Sequence, residues 1–216
     1  MKHFYILVLT FFITGLGFGQ TLTAGDLAII GLSVDNEEAL IVALEDIPSG
    51  EPVFFTDDEW VGSSFNSGEG FYEWVTPAIT VGTVFTIDTD GSSEGGTVTL
   101  KAGNFALGNS GDGFFLYQTS TNVYNTGTYT VLGFAGENDG DAGTLTGTGL
   151  VIGTNAIYYG GDNGIYAGAR VGEDKAGYLS LIYGSSWTTS GSAQTFDLTD
   201  FTFASACTPP TTQASS

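Results

Sequence analysis

Short apolar runs alternate with clusters of glycine, asparagine, aspartate and serine along residues 26–203. The runs are rich in Val, Ile, Thr, Phe and Tyr, the residue types that favour β-strands. They predict strands at residues 27–34, 39–44, 52–56, 71–75, 83–87, 97–100, 114–117, 129–134 and 156–159. A spacing of about ten residues favours an antiparallel β-sandwich over alternating strands and helices. The predicted fold class is therefore all-β.

One segment, residues 174–182, has the pattern of a short helix, with Asp174 placed to cap its first turn. Glycine-containing clusters such as Asp162-Asn163-Gly164 predict tight turns between the strands. The last run with large apolar residues, 196–203, resembles a strand and marks the end of the folded pattern. The sequence therefore predicts at most one short helix in a single sandwich domain.

The first 19 residues have the order of a secretory signal peptide. Lys2 and His3 precede an apolar run at residues 4–13, and small residues follow it. The run is shorter than the roughly 20 residues that a membrane-spanning helix needs. We expect cleavage before Gln20, so that the protein is exported and is secreted or held at the outer cell surface.

The segment 206–216 differs in composition from the rest of the chain. It contains Thr, Pro, Gln, Ala and Ser, with Pro209-Pro210 preventing regular backbone hydrogen bonding. Cys207 is the single cysteine, so no disulfide framework forms within the chain. We interpret residues 20–205 as one domain and residues 206–216 as a linker to a downstream domain.

The charge balance excludes several classes of function. The chain has 24 Asp and Glu against 4 Lys and Arg, a formal net charge of -20. Such a surface repels nucleic acid and anionic lipid. The only histidine, His3, lies in the predicted leader, which excludes a Ser-His-Asp triad and a histidine-based zinc site from the mature chain. The mature chain therefore either uses carboxylate groups for catalysis or is not an enzyme.

Four clusters of acidic residues stand out, at residues 57–59, 88–94, 137–141 and 162–164. Oxygen-rich turns of this kind suit calcium, although none matches the EF-hand pattern. The same residues also form turns for purely local hydrogen-bonding reasons. The two loops that favour calcium most offer the ligands Asp88, Asp90, Glu94, Glu137, Asp139 and Asp141. We expect no other cofactor.

Glu69 and Glu73 lie beside aromatic residues, which raises the alternative of a carboxylate-based glycoside hydrolase. Residues four apart in a strand are about 13 Å apart, beyond the roughly 5 to 9.5 Å of either glycosidase geometry. The pattern therefore favours an ordinary strand. Phe71 and Glu73 would lie on one face, with Tyr72 and Trp74 on the other.

Aromatic residues are dense enough to form a sugar-stacking platform, although aromatic side chains at this density more often fill a sandwich core. The platform would make the protein a carbohydrate-binding module. Its candidate members are Trp60, Trp74, Trp187, Tyr158, Tyr159, Tyr166, Tyr178 and Tyr183.

Several segments resemble a known kind of module. Asp26-Leu27-Ala28-Ile29-Ile30-Gly31, and residues 46–57 followed by Trp60, resemble an N-terminal module of secreted bacterial surface proteins. The middle segment, with Ser110-Gly111-Asp112-Gly113 before an apolar run, resembles the lamin-tail-type β-sandwich. The tail, residues 207–215, is similar to linkers before fibronectin-type-III-like domains in proteins exported by the type IX route.

The resemblance implies a non-catalytic function, because this family has no catalytic residues to carry over. It implies a lamin-tail-like or immunoglobulin-like sandwich that serves adhesion or scaffolding at the surface of a Gram-negative bacterium. The expected partners are an extracellular glycan or protein surface and the downstream domains of the same polypeptide. Nucleic acid and membrane insertion are not expected.

Overall fold

Residues 21–88, 95–108, 112–184 and 186–204 are described by a computed structural model of the chain. The predicted leader and the predicted linker lie outside these residues, so both stay predictions. The described residues form two large sheets, two small two-stranded sheets and two helices. The predicted all-β sandwich class is confirmed.

The strands lie close to their predicted positions, and all nine predicted strands are present. The bounds are β1 Leu27–Ser33, β2 Glu38–Ala43, β3 Pro52–Thr56, β4 Trp60–Val61, β5 Phe71–Val75, β6 Val84–Asp88, β7 Thr97–Ala102, β8 Gly113–Thr119, β9 Tyr129–Gly136, β10 Gly143–Thr144, β11 Ala156–Tyr158, β12 Asn163–Tyr166, β13 Val171–Glu173, β14 Trp187–Ser190 and β15 Thr202–Phe203.

The predicted helix is present as α2, Lys175–Ile182. Asp174 caps it as expected, because its carboxylate accepts a hydrogen bond of 2.8 Å from the backbone N–H of Gly177. A single helical turn, α1 Asp139–Ala142, and a 3-10 turn at Val34–Asn36 are the other helical pieces in the described part of the chain. Neither helix has the length and hydrophobicity required to span a membrane.

The two large sheets face each other. One has five strands in the order β14-β12-β1-β2-β6, all antiparallel. The other has six strands in the order β11-β9-β8-β3-β5-β7, with β11 and β9 parallel and the remaining pairs antiparallel. Trp74 of β5 meets Phe85 of β6 across the core, with ring centroids 5.2 Å apart.

The central strands of the six-stranded sheet are apolar on both faces. Along β8, Phe114 and Leu116 belong to the core between the sheets, while Phe115 and Tyr117 belong to a second cluster on the outer face. Loop residues cover that second cluster, above all Phe65, which is 3% exposed. This explains why the sequence of β8 reads as a continuous apolar run rather than as an alternation.

The outer face of the five-stranded sheet is also covered. Helix α2 buries Tyr178, Ile182 and its C-terminal neighbour Tyr183 in the main core. Residues 191–201 then cross the sheet as an extended segment, which we call the strap. Phe201 of the strap is 4% exposed and packs edge-on against Tyr178, with centroids 4.9 Å apart.

Two local predictions are wrong. Asn163 and Gly164, predicted in a tight turn, lie inside β12, and Asn163 is fully buried. Asn163 is accommodated there because its amide bonds Ser33 and Asp35. Of residues 196–203, predicted as one strand, only Thr202–Phe203 are in a strand, because the strap before them packs through side chains.

Candidate functional site

One end of the six-stranded sheet gathers five acidic side chains, which we call the acidic cluster: Asp57, Asp58, Glu59, Glu69 and Asp112. Their positions follow from strand pairing. Thr56, the last residue of β3, pairs with the first residue of β5, Phe71, and with Phe115 near the start of β8. The residues just beyond these strand ends therefore converge at the same edge.

The carboxylates of Asp57 and Asp58 hold the neighbouring loops by accepting hydrogen bonds from backbone N–H groups. Asp57 accepts from Gly70 at 3.0 Å and from Ala106 at 2.9 Å. Asp58 accepts from the backbone N–H groups of Gly68 and Glu69 at 3.1 to 3.3 Å. Both aspartates are buried, and these bonds satisfy the acceptor groups that burial removes from water.

Asp112 makes the same kind of contact at the start of β8. Its two carboxylate oxygens accept hydrogen bonds from the N–H groups of Gly108 and Gly113, at 2.8 and 2.7 Å. Gly108 is thus held at the start of β8 by one side chain. Together Asp57, Asp58 and Asp112 bind six backbone N–H groups.

Burial and the repulsion of neighbouring charges raise the pKa values of four cluster members, Asp57, Asp58, Glu69 and Asp112. Burial, followed by the charges of Asp57, Asp112, Glu59 and Asp58, raises the pKa of Glu69 to about 8. Burial raises the pKa of Asp112 to about 7 and that of Asp57 to about 6, against the opposing effect of their backbone hydrogen bonds.

No cation in the described part of the chain offsets this charge. Lys101 pairs with Glu73 at 2.7 Å, Lys175 pairs with Asp26 and Glu45, and Arg170 lies 4.0 Å from Asp197.

The acidic cluster predicts that stability falls as the pH rises. The carboxyl groups of Asp57, Glu69 and Asp112 hold their protons more tightly in the folded protein than in the unfolded chain, where their pKa is about 4. Their contribution is complete below that value and is lost as the pH rises through the folded values of 6 to 8. After a discount for solvent around the half-buried Glu69, we expect a melting midpoint about 5 °C lower at about pH 8.5 than at about pH 5.5.

Two variants separate this effect from the general repulsion of an acidic chain. Glu69→Gln removes the group with the highest pKa of the three, so it should raise the midpoint at alkaline pH and reduce the pH dependence. Glu73→Gln removes an equal charge from the Glu73–Lys101 ion pair, which lies outside the acidic cluster. It should leave the pH dependence unchanged. Equal slopes in all three proteins, measured by calorimetry, would contradict the prediction.

Three members of the cluster lie close enough together to share a metal ion. Each of Asp58, Glu59 and Glu69 offers a carboxylate oxygen, and these atoms lie within 4.8 Å of one another. Hard divalent cations such as calcium prefer oxygen ligands of this type. Within the described residues, no other group of three acidic, cysteine or histidine side chains has its ligand atoms so close.

The loop at 137–141, predicted to bind calcium, is partly helical. Asp139 and Asp141 lie in α1, and the Asp141 carboxylate accepts a bond of 2.9 Å from the backbone N–H of Asn138, which completes a capping box. Glu137 is half-buried, and its Oε2 has no hydrogen-bond partner. Burial, with the charges of Asp141 and Asp162, raises the pKa of Glu137.

The other loop predicted to bind calcium is described only at its start. Asp88 ends β6 and is half-buried. Asp90 and Glu94 lie outside the described residues. Calcium binding at either loop therefore stays a prediction.

The two glutamates considered for sugar hydrolysis are separated by their environments. Glu69 belongs to the acidic cluster before β5, whereas Glu73 lies within β5 and forms its ion pair with Lys101 of β7. The predicted faces of β5 are confirmed. Tyr72 and Trp74 contact the core between the sheets, and Phe71 belongs to the outer aromatic cluster.

Most of the candidate sugar-stacking aromatics are core residues. Trp60, Trp74, Tyr159, Tyr166, Tyr178 and Tyr183 are all at most 9% exposed. Trp187 is half-buried and stacks on Tyr159, with centroids 5.4 Å apart. The expectation that these aromatics fill the core is confirmed for the six buried residues, so they do not form an exposed platform.

Sequence reasoning noted residues 57–59 and Glu69 separately but did not bring them together. A signal was present, because a hairpin pairing 52–56 with 71–75 places the residues after the first strand beside those before the second. The contribution of Asp112 had no such local signal. Asp112 lies directly before β8, and β8 reaches β3 only through the pairing of Thr56 with Phe115, which are 59 positions apart in the chain.

No protein-family model, curated protein or solved structure matches this chain.

Proposed function

We propose that this chain is a secreted, non-catalytic β-sandwich module that serves adhesion, scaffolding or ligand binding within a larger exported protein. The observation that supports this proposal most directly is the structural role of its carboxylates. Asp57, Asp58 and Asp112 accept bonds from six backbone N–H groups, so they act as ties between loops and strand ends. A general acid or base needs a carboxyl group directed at substrate instead.

The resemblance to lamin-tail-type modules supports the same proposal. In such modules the Ser-Gly-Asp turn precedes a strand that crosses the core. In this chain Asp112 directly precedes β8, which is buried along its whole length and lies inside the six-stranded sheet. The proposal extends to the outer surface of a Gram-negative cell, with an extracellular glycan or protein as partner.

A polysaccharide screen with two measurements tests the proposal. The protein is incubated with a panel of neutral and acidic polysaccharides, and both retention on the insoluble polymers and release of reducing ends are measured. We expect no release of reducing ends. Reproducible turnover that disappears in Glu69→Gln or Glu73→Gln would instead establish a glycoside hydrolase.

A further inference from the structure

A polar cleft of about 380 Å³ opens on the outer face of the five-stranded sheet. Asn36, Glu38 and Thr86 line it from the sheet and the adjoining 3-10 turn, and Gln194, Thr195 and Phe196 line it from the strap. This volume lies within the range of small-molecule sites. The cleft shares no residue with the acidic cluster.

The strap is seated on the sheet by an aromatic ring and a glycine. A Cβ atom at Gly31 of β1 would lie 2.8 Å from Cε1 of Phe196, closer than real contacts allow. The absence of a side chain at Gly31 therefore lets the Phe196 ring lie directly on the sheet. This contact fixes the height of the strap and keeps one wall of the cleft in place.

Hydrogen bonds hold the two amide side chains in the cleft. The Asn36 amide donates to the backbone carbonyl of Gln194 at 3.4 Å, and the Gln194 amide donates to the carbonyl of the buried Asn163 at 3.3 Å. Within the described residues, the side-chain oxygens of Asn36 and Gln194 and the hydroxyl of Thr195 have no further partner. These three groups are available to a ligand.

The chemistry of these groups selects the class of ligand. Amide oxygens and a threonine hydroxyl exchange hydrogen bonds with alcohol groups, and an aromatic ring beside them suits the C–H face of a sugar ring. Glu38 lines the cleft and Asp88 is its cross-strand neighbour, so an anionic ligand would be repelled. We infer that the cleft binds one uncharged sugar unit of an oligosaccharide, an inference that rests on the proposed binding function.

Titration calorimetry with defined sugars tests the inference. The probes are cellohexaose, laminarihexaose, xylohexaose, maltohexaose and mannohexaose at millimolar concentration, with hexagalacturonate as the anionic comparison. At least one neutral probe should bind. Asn36→Ala and Gln194→Ala should each weaken its binding about three- to tenfold, the effect of one lost hydrogen bond.

Two further variants keep the result interpretable. Thr195→Val removes the hydroxyl with little change of shape and should also weaken binding, even if an alanine variant proves unstable. Ser192→Ala changes an exposed strap residue that does not line the cleft, and it should bind as the unchanged protein does. Melting curves confirm that each variant is folded.

Three outcomes overturn the inference while leaving the proposed function intact. They are no binding of any neutral probe, tighter binding of hexagalacturonate, and unchanged binding in all three cleft variants. Cleavage of a bound probe is a different outcome, because it contradicts the proposed non-catalytic function rather than the location of the site.

Discussion

Replacing Phe65 with alanine is expected to lower the free energy of unfolding by about 3–5 kcal/mol, although Phe65 lies in a loop region outside the large sheets. Its ring is 3% exposed and lies 5.0 Å from Trp60, 5.1 Å from Phe115 and 4.6 Å from Tyr117, measured between centroids. Phe115 and Tyr117 are fixed in β8, so the cavity left by truncation cannot collapse. Urea unfolding followed by tryptophan fluorescence measures the loss.

Val61 provides the matched control for this loop region. It lies four residues before Phe65 and is 57% exposed, so Val61→Ala should change stability by no more than about 0.5 kcal/mol. A similarly small effect of Phe65→Ala would mean that this loop is not packed on the sheet. The acidic cluster would then not be preformed, since Asp58, Glu59 and Glu69 flank the same segment.

Replacing Gly103 with alanine is expected to be at least as damaging, by more than about 3 kcal/mol, because two costs add. Gly103 has a φ of +72°, in the left-handed region. A Cβ atom there would also lie 1.7 Å from the carbonyl oxygen of Glu69. The backbone that carries Glu69 would have to move away from the end of β7, which would open the acidic cluster.

Gly149→Ala distinguishes the cost of the left-handed backbone from the cost of the steric clash. Its φ of +78° is nearly the same, but nothing lies within 4 Å of a Cβ placed there. Gly149→Ala should therefore cost only the conformational part, about 1 kcal/mol. If Gly103→Ala and Gly149→Ala lower the unfolding midpoint equally, the close approach of residues 69 and 103 is not present in solution. A Gly103→Ala protein that folds should also lose much of its pH-dependent stability.

These predictions concern the support of the acidic cluster rather than ligand contacts. The carboxylates of Asp57 and Asp58 bond the end of the loop before β5, and Asp57 also bonds Ala106 after β7. Phe65 holds the loop before β5 on the sheet. The end of the sandwich is thus rigid, and its negative charge grows as the pH rises through the folded pKa values of 6 to 8. A rigid end of this kind agrees with the proposed use of the chain as a module within a larger protein.

Local patterns in the sequence were enough to locate the main strands. Residues 52–56 and 71–75 were predicted with the bounds that the structure has, and helix α2 began directly after its predicted cap, Asp174. These features are local. The two-residue period of a strand and the capping of a helix depend only on residues a few positions apart. Both can therefore be recognised in the sequence without knowledge of the fold.

Glycine content was a poorer guide to turns, because some glycines make room for a neighbouring side chain instead. Gly164 was placed in a turn, but a Cβ there would lie 2.4 Å from the ring of Tyr159, so its role is to let that ring approach β12. Gly31 has the same role beneath Phe196. A glycine that makes room for a ring and a glycine that bends the chain look identical in sequence, because the ring comes from elsewhere.

Which side chains meet depends on contacts between distant parts of the chain. Asp57 and Glu69 come together because β3 pairs with β5, Asp112 joins them because β3 also pairs with β8, and Asn36 meets Gln194 because the strap crosses the five-stranded sheet. Such pairings join residues far apart along the chain, and their register is set by burial of whole faces rather than by any local pattern. For that physical reason the sequence determined the strands of this sandwich, and the packing of the sheets determined its acidic cluster and its cleft.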